Sequence, residues 1–360
     1  MVLLGSTGSI GTAALDIARR FHLPVETLVA GRNTALLNRQ IAEFRPKRVV
    51  VATREAAKRV DHPHTQYGPE AILEAIEASS SPLVLNALVG FAGLKPTLAA
   101  IGCGKRVALA NKESLVAAGA FVDCSAILPV DSEHFGLWYL LAQRPIDQMT
   151  LTASGGALRD CAPAAIEQAT LEAVLEHPNW SMGQKITIDS ATMANKLFEV
   201  LEAYWLFKER FSGPVLIDGV IERSSIVHAL IAFKDGSTTA QLARADMRLP
   251  IAYTLLERIE APIAPPCDLT ALAPLKFEPI CTDRYPLWAL KEPLLQNPAL
   301  GAVVNAANEA AIEQFCQGAI PFGQIARCVL AATERFTTPP ESLEAIFELD
   351  REVRAWCQKR

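Results

Sequence analysis

The chain is 360 residues long, half of it apolar and a fifth charged, with a formal net charge of −5. That length allows two or three domains around a large core, and an acidic balance with no basic stripe excludes a nucleic-acid partner. No run approaches the roughly 18 apolar residues needed to span a bilayer, and the first residues carry neither a basic leader nor an apolar signal region. A soluble, cytoplasmic protein with no membrane partner is expected. The eight cysteines contain no CxxC pair and no zinc spacing, so they read as reduced thiols. His62-Pro63-His64 reads as an exposed loop before it reads as a metal pair.

In chain order, residues 1–147 alternate short apolar runs with helical patterns. Runs at 2–4, 26–30, 48–51, 83–86 and 106–110 read as buried strands, with amphipathic stretches such as 12–21 and 36–44 between them. Such alternation predicts an α/β domain, a parallel sheet with helices on both faces. From 148 to 260 the rhythm changes to α+β. Strands are expected at 149–153, 185–189, 215–218, 228–233 and 238–243, with an Asp235-Gly236 turn making a hairpin of the last two. An exposed edge of that sheet offers a surface for a second subunit, which predicts a homodimer. The prolines of 261–274 mark a linker over 261–284. Residues 285–360 carry helical spacing at 299–315 and 341–358 and predict a small helical bundle.

The segment 5–11, GSTGSIG, follows the first strand and opens a helix. It is a variant of the dinucleotide fingerprint, in which glycines let the backbone approach a pyrophosphate and the helix N-terminus attracts its charge. The alternative is a tight turn with no ligand. After the second strand, where an NAD site carries an acid, this chain has Gly31-Arg32-Asn33. Arg32 suits a 2′-phosphate, so a Rossmann-like NADPH domain is favoured over an NADH domain, unless Arg32 is simply solvated.

Two further stretches carry candidate chemistry. Asp131 and Glu133 share one side of the chain if that segment is extended; the alternative is a helix start with Asp131 or Ser132 as cap. A helix beginning near Ser190 gathers Asn195, Lys196 and Glu199 within an arc of about 100°, on a polar face set among Met193, Leu197, Phe198, Val200 and Leu201. The plain alternative is a solvated Lys196–Glu199 pair. Carboxylates from Asp131, Glu133 and Glu199 with no soft ligand suit Mg²⁺ or Mn²⁺, not zinc. The Ser154-Gly155-Gly156 loop, with Ser190, Asn195 and Lys196, is a candidate phosphate pocket. Residues 177–183, HPNWSMG, are a candidate lid, with Trp180 as a core anchor the alternative.

Taken together, GSTGSIG at 5–11, NALVGFAGL at 86–94, ALANKESLV at 108–116, LPVDSEH at 128–134, SGG at 154–156, HPNWSMG at 177–183, DSATMANK at 189–196, DMRLPIAY at 246–253 and NAANE at 305–309 resemble the 1-deoxy-D-xylulose 5-phosphate reductoisomerase family over nearly the whole chain. The resemblance implies NADPH- and divalent-metal-dependent rearrangement and reduction of that sugar phosphate to 2-C-methyl-D-erythritol 4-phosphate, in isoprenoid precursor synthesis. It implies Mg²⁺ or Mn²⁺, with Co²⁺ a further candidate, held by Asp131, Glu133 and Glu199. It implies substrate contacts from Lys112, Ser132, Glu133, Ser154, His177, Trp180, Met182, Ser190, Asn195, Lys196 and Glu199, with Lys112 counted beside the three acids as catalytic. Thr7, Gly8, Ser9, Ile10, Gly31, Arg32 and Asn33 would hold the cofactor, with Asn111, Glu113 and Gly183 near it. Many relatives read NKGLE where this chain has Asn195-Lys196-Leu197-Phe198-Glu199, and His-Pro-Gln-Ser where it has Glu222-Arg223-Ser224-Ser225. The rival readings are an NADPH enzyme of the semialdehyde or homoserine dehydrogenase type, which needs no three carboxylates, and a non-catalytic NADPH-binding regulator, which would lose one of them.

Overall fold

The structure is a computed structural model that describes residues 1–256 and 258–359. It divides into two compact units, 1–111 with 123–131 and 246–265, and 112–122 with 132–245 and 266–360.

The first unit is a seven-stranded parallel sheet in the order β4-β3-β2-β1-β5-β6-β7. Its strands are β1 (Val2–Leu4), β2 (Thr27–Ala30), β3 (Arg48–Val51), β4 (Thr65–Tyr67), β5 (Leu83–Asn86), β6 (Arg106–Leu109) and β7 (Ile127–Pro129). The central strands are Val/Leu-rich and buried, as a sheet covered on both faces requires. Two edge strands escape the sequence reading, each for its own reason: β4 is Thr-Gln-Tyr, largely exposed, and β7 is only three residues and ends on a proline. The strand order reverses at β1, the point where open α/β sheets bind ligands. There the chain turns through Gly5, at φ +87°, into α1 (Ser9–Arg20). A Cβ on Gly11 would lie 2.2 Å from the Gly5 carbonyl oxygen, so only glycine lets α1 seat this close to the loop. Beyond β2, α2 (Thr34–Phe44) is capped by the Asn33 side chain, which accepts from the Leu36 N–H at 3.2 Å.

The second unit has a five-stranded mixed sheet in the order β11-β10-β8-β9-β12. Its strands are β8 (Ile146–Ala153), β9 (Ile217–Glu222), β10 (Val227–Phe233), β11 (Thr238–Leu242) and β12 (Phe277–Pro279). The expected hairpin joins β10 to β11, with Gly236 at φ +86° and the Asp235 carboxylate accepting from the Ser237 N–H. Short helices α3 (Glu113–Ala118) and α4 (Ser132–Leu140) precede the sheet; α5 (Gln184–Thr192) and α6 (Ala194–Phe207) interrupt it. At the C-terminus, α7 (Gly301–Cys316), α8 (Phe322–Arg335) and α9 (Leu343–Cys357) form the expected bundle, whose core includes Leu197 and Phe198 of α6.

Two local expectations are corrected and one open alternative is decided. Residues 185–189 are not a strand but the first half of α5. The β-branched run Ile186-Thr187-Ile188 suggested a strand, yet the helix buries Ile188 completely and brings Lys185 and Asp189 together at i, i+4. The helix expected from Ser190 is two helices: the chain breaks at Met193, which sits at φ +67° and ends α5 before α6 begins. Of the two readings open for 131–133, the helix start holds: Ser132 opens α4 and Glu133 lies in its first turn.

Among the described residues, no helix is long and apolar enough to cross a membrane. The tight seat of α1 yields a test: Gly11→Ala is expected to cost about 1–3 kcal/mol by overpacking. A urea-unfolding midpoint equal to wild type would show that the loop relaxes instead.

Candidate active site

In the second unit the site is built around one buried carboxylate. Glu199 is 1% exposed, one turn into α6. One of its oxygens accepts from Lys112 Nζ at 3.0 Å and from the Asn195 carboxamide; the other accepts from Lys196 Nζ. Lys196 also reaches Glu133 Oε1 at 3.2 Å, and Lys112 donates to Asn195 Oδ1 at 2.8 Å. The helical spacing of 195, 196 and 199 thus does what the sequence suggested. It faces inward, and the solvated-pair alternative fails because Lys196 is only 3% exposed. An unpaired charge at such depth costs several kcal/mol, so carboxylates and ammoniums must come as a set. Ser132 donates to Glu133 Oε2 at 2.6 Å. Asp131 is the last residue of the first unit's 123–131 segment, two residues ahead of Glu133 along the chain.

The backbone under Glu199 is fixed from α4. His134, fully buried, meets the Glu199 carbonyl oxygen through Nε2 at 2.8 Å, while its Nδ1 lies 3.3 Å from the buried Glu202 carboxylate. This His134–Glu202 pair was invisible as a pair in the sequence, because its partners are 68 residues apart and neither belongs to a known spacing.

A second polar layer was also missed. Lys185 donates to Glu113 Oε1 at 2.7 Å and to Asp189 Oδ2 at 2.8 Å, with its ammonium 5.2 Å from the Phe198 ring centroid. Asp189 Oδ1 accepts from Asn308 of α7 at 2.7 Å. Burial alone would lower the Lys185 pKa, but Asp189 and Glu113 outweigh it and raise it. Burial alone would likewise raise Glu113, yet Lys185 holds it below the usual carboxylate range. Glu113 is therefore an ionised member of a buried bridge. Reading 185–189 as a helix would have revealed the i, i+4 pair.

The small-residue loop after β8 closes on α5. Gly155 and Gly156 take φ +88° and +74°, and a Cβ on Gly156 would lie 2.7 Å from the Ser190 carbonyl oxygen. Ser154 is thereby held beside the C-terminal half of α5, one turn before the α6 N-terminus that carries Asn195 and Lys196. A helix N-terminus with adjacent hydroxyl, amide and ammonium groups suits an anion. His177 reaches this loop: its Nε2 is 2.9 Å from Ser154 Oγ. Its Nδ1 accepts from the N–H groups of Asn179 at 3.2 Å and Trp180 at 3.0 Å. With Nδ1 an acceptor, Nε2 carries the proton and donates to Ser154. Ser154 Oγ also accepts from the Gly156 N–H at 3.1 Å, so its own proton is directed elsewhere, as an anion-binding hydroxyl needs. Trp180 is half-buried, its ring edge-on to His228 at 6.1 Å; Met182 is half-buried and Gly183, exposed, is the N-cap of α5.

In the first unit, Thr7 is half-buried and Gly8 and Ser9 are exposed where α1 begins; Ile10 packs at the core margin. No acid lies in the first turn of α1. Gly31, Arg32 and Asn33 are all exposed beyond β2, and nothing lies within 4 Å of a Cβ placed on Gly31. Asn111 is fully buried, donating to the carbonyls of Leu88 and Gly90 at 2.8 Å each, so it shapes the loop after β5.

Comparison with known proteins adds whole-chain context. Family models for 1-deoxy-D-xylulose 5-phosphate reductoisomerase match residues 1–119, for its C-terminal domain 127–207, and for a further DXP reductoisomerase C-terminal domain 242–356. The 1-deoxy-D-xylulose 5-phosphate reductoisomerase of Wolinella succinogenes is 54% identical, with 100% of both chains covered. That of Nautilia profundicola is 52% identical, with 99% of each covered. A crystal structure of DOX-P reductoisomerase in complex with NADPH, fosmidomycin and magnesium has a TM-score of 0.91 at 34% identity, covering 99% of this chain and 97% of the other. The Zymomonas mobilis enzyme in complex with NADPH gives 0.87 at 35%, with the same coverage.

The His177 environment yields a titration test. Burial first, then the nearby Arg159 guanidinium, lowers its pKa from 6.5 to about 4. A base with a depressed folded pKa contributes stability that is present above its unfolded pKa and lost as pH falls. The loss therefore runs from pH 6.5 down to about 4. NMR of the His177 ring is expected to show no titration between about pH 8 and pH 5.5, unlike an ordinary histidine. A midpoint near 6.5 would refute the neutral tautomer.

Proposed function

The chain belongs to the 1-deoxy-D-xylulose 5-phosphate reductoisomerase family, and on that premise we propose that it converts 1-deoxy-D-xylulose 5-phosphate to 2-C-methyl-D-erythritol 4-phosphate with NADPH and a divalent metal ion. The observation that carries the reading is the buried convergence of Lys112, Glu133, Lys196 and Glu199 in the second unit. A semialdehyde or homoserine dehydrogenase would have no use for it, and a regulator that had lost catalysis would not need to keep so costly a set of charges.

The residues fit the implied groups. Asp131, Glu133 and Glu199 offer only carboxylate oxygens, a donor set for Mg²⁺ or Mn²⁺. Lys196 already stands as a cation between two of them. When bound, the ion polarises the substrate carbonyl and hydroxyl oxygens and NADPH supplies the hydride. Ser154, Ser190, Asn195 and Lys196 grip the substrate phosphate. His177 orients the Ser154 hydroxyl, and Ser132 positions Glu133 through their hydrogen bond. Lys112 balances Glu199 and meets the reacting end of the substrate. Trp180 and Met182, on the 177–183 loop, close over it and exclude water. Thr7, Gly8, Ser9 and Ile10 at the head of α1 take the cofactor phosphates. Arg32, with no side-chain partner among the described residues, takes the 2′-phosphate; Gly31 and Asn33 serve the adenosine end, and Asn111, Glu113 and Gly183 are further candidates for cofactor binding.

A homodimer is supported by the sheet edge. Among the described residues β11 has no strand on its outer side, and exposed Trp138 (41%), Tyr139 (55%) and Leu242 (37%) lie on α4 and β11. Apolar groups gathered at an open strand edge favour a covering partner. All eight cysteines are free thiols, in keeping with a reducing, cytoplasmic compartment.

Purified protein is expected to oxidise NADPH only when both 1-deoxy-D-xylulose 5-phosphate and Mg²⁺ or Mn²⁺ are present. Activity that survives thorough chelation would sink the metal assignment. Glu199→Gln is expected to lower kcat at least about a hundred-fold, consistent with loss of a metal ligand, while NADPH binding by fluorescence persists. Equal loss of NADPH affinity would make Glu199 a structural residue.

A further inference from the structure

Glu222-Arg223-Ser224-Ser225 form the turn between β9 and β10, and this turn is built around one carboxylate. Glu222 is 2% exposed. Its Oε1 accepts from the Ser224 N–H at 2.8 Å and the Ser224 hydroxyl at 2.6 Å. Its Oε2 accepts from the N–H groups of Ile226 at 2.9 Å and Val227 at 3.2 Å. Those four bonds hold Ser225 at φ +54°, a conformation serine rarely adopts. Burial alone would raise the Glu222 pKa, but the Ser224, Ile226 and Val227 donors overcome it, so the group stays ionised at neutral pH.

What the turn presents outward is two acceptors. The Asn179 carboxamide donates to the Arg223 carbonyl and to the Ser225 hydroxyl, both at 2.7 Å. The same Arg223 carbonyl accepts from Arg159 Nη1 at 3.0 Å, and Arg159 also donates to the Ser154 carbonyl at 2.8 Å. Arg223's own guanidinium pairs with Asp160 at 2.6 Å. One four-residue turn therefore touches both the Ser154 loop and the 177–183 loop. Asn179 sits between His177, which bonds Ser154, and Trp180, which packs on His228.

We propose that the Glu222–Ser225 turn is a latch for the 177–183 loop, and that Asn179 is the positioning residue through which it sets His177 and Trp180 for the substrate. Asn179 touches no reacting atom in this scheme; it acts through its two neighbours. The proposal rests on the reading of 177–183 as a lid over the sugar phosphate. A turn clamped by a buried carboxylate gives the loop a fixed docking point at no cost in mobility elsewhere, because the gripping groups are a backbone carbonyl and one hydroxyl.

The test compares Asn179→Ala, Ser225→Ala and the double variant with wild type. Asn179→Ala is expected to raise KM for 1-deoxy-D-xylulose 5-phosphate about ten-fold, the scale of two lost hydrogen bonds. KM for NADPH and the melting temperature should stay at wild-type values. Ser225→Ala should have a smaller effect of the same kind, and the double variant should be no worse than Asn179→Ala alone, since both remove one contact. Fully additive losses, or equal rises in both KM values with a lowered melting temperature, would overturn the latch. Amide hydrogen exchange without any ligand separates this from the functional reading. Faster exchange across 177–183 in Asn179→Ala supports the latch even if the sugar phosphate is not a substrate, and unchanged exchange refutes it.

Discussion

The rest of the second unit's polar site depends on Glu199, a carboxylate almost wholly out of water. Left there without partners, its oxygens would carry a desolvation cost of several kcal/mol. Two ammoniums, Lys112 and Lys196, and the Asn195 amide prevent this by meeting its oxygens directly. Each partner must then be carried by an element that has no freedom to move. Lys112 heads α3, Lys196 and Asn195 share a helix with Glu199, and Glu133 is held on α4 against the same Lys196. The charge set is costly to bury and gains little net stability. Its use lies in specificity: it holds several oxygens and cations at fixed separations before any substrate arrives, which is what orientation-driven catalysis needs.

A second buried ionic layer lets the C-terminal helices matter to the chemistry without touching it. Arg354 of α9 bonds Glu309 of α7 at 2.6 Å and Asp350 at 2.8 Å. Asn308 on the same α7 bonds Asp189, and Asp189 bonds Lys185, which reaches Glu113 at the start of α3. Burial raises the Glu309 pKa, against the pull of Lys185 and Arg354, so this layer sits near the limit of what the interior tolerates. The bundle thereby fixes the pitch of α5 and the N-terminus of α3, one residue from Lys112. The NAANE sequence at 305–309 supplies two of the links, which gives a physical reason for polar residues in the middle of a buried helix.

The parts of this arrangement that sequence could reveal were those with a local signature. Gly5 and Gly11 flank a strand-to-helix turn, and the Asn195, Lys196 and Glu199 spacing is helical, so both were legible. Lys185 was not, because Ile186-Thr187-Ile188 carries strand propensity that only tertiary burial of Ile188 overrides. Met193 was not, because a non-glycine residue in the left-handed region has no compositional mark. Yet that one residue splits a continuous helix in two, and aims the start of α6 toward the Ser154 loop. His134 with Glu202, and Asn179 with Arg223, were hidden for a simpler reason: their partners are dozens of residues apart and meet only in the fold.

The Leu197-Phe198 pair shows how one helix can serve the polar site and the core at once. Both side chains are completely buried, in the core shared by α5, α6 and the C-terminal bundle. Residues 197 and 198 therefore point away from the face that carries 195, 196 and 199, as a 100° step per residue dictates. These two large side chains are taken up by the bundle side of α6. Phe198 is placed with its ring near the Lys185 ammonium, where the π face gives a buried cation one more favourable neighbour. Phe198 thus lies against the inner ionic layer. Helical periodicity thus separates the face that carries Asn195, Lys196 and Glu199 from the face that Leu197 and Phe198 give to the core.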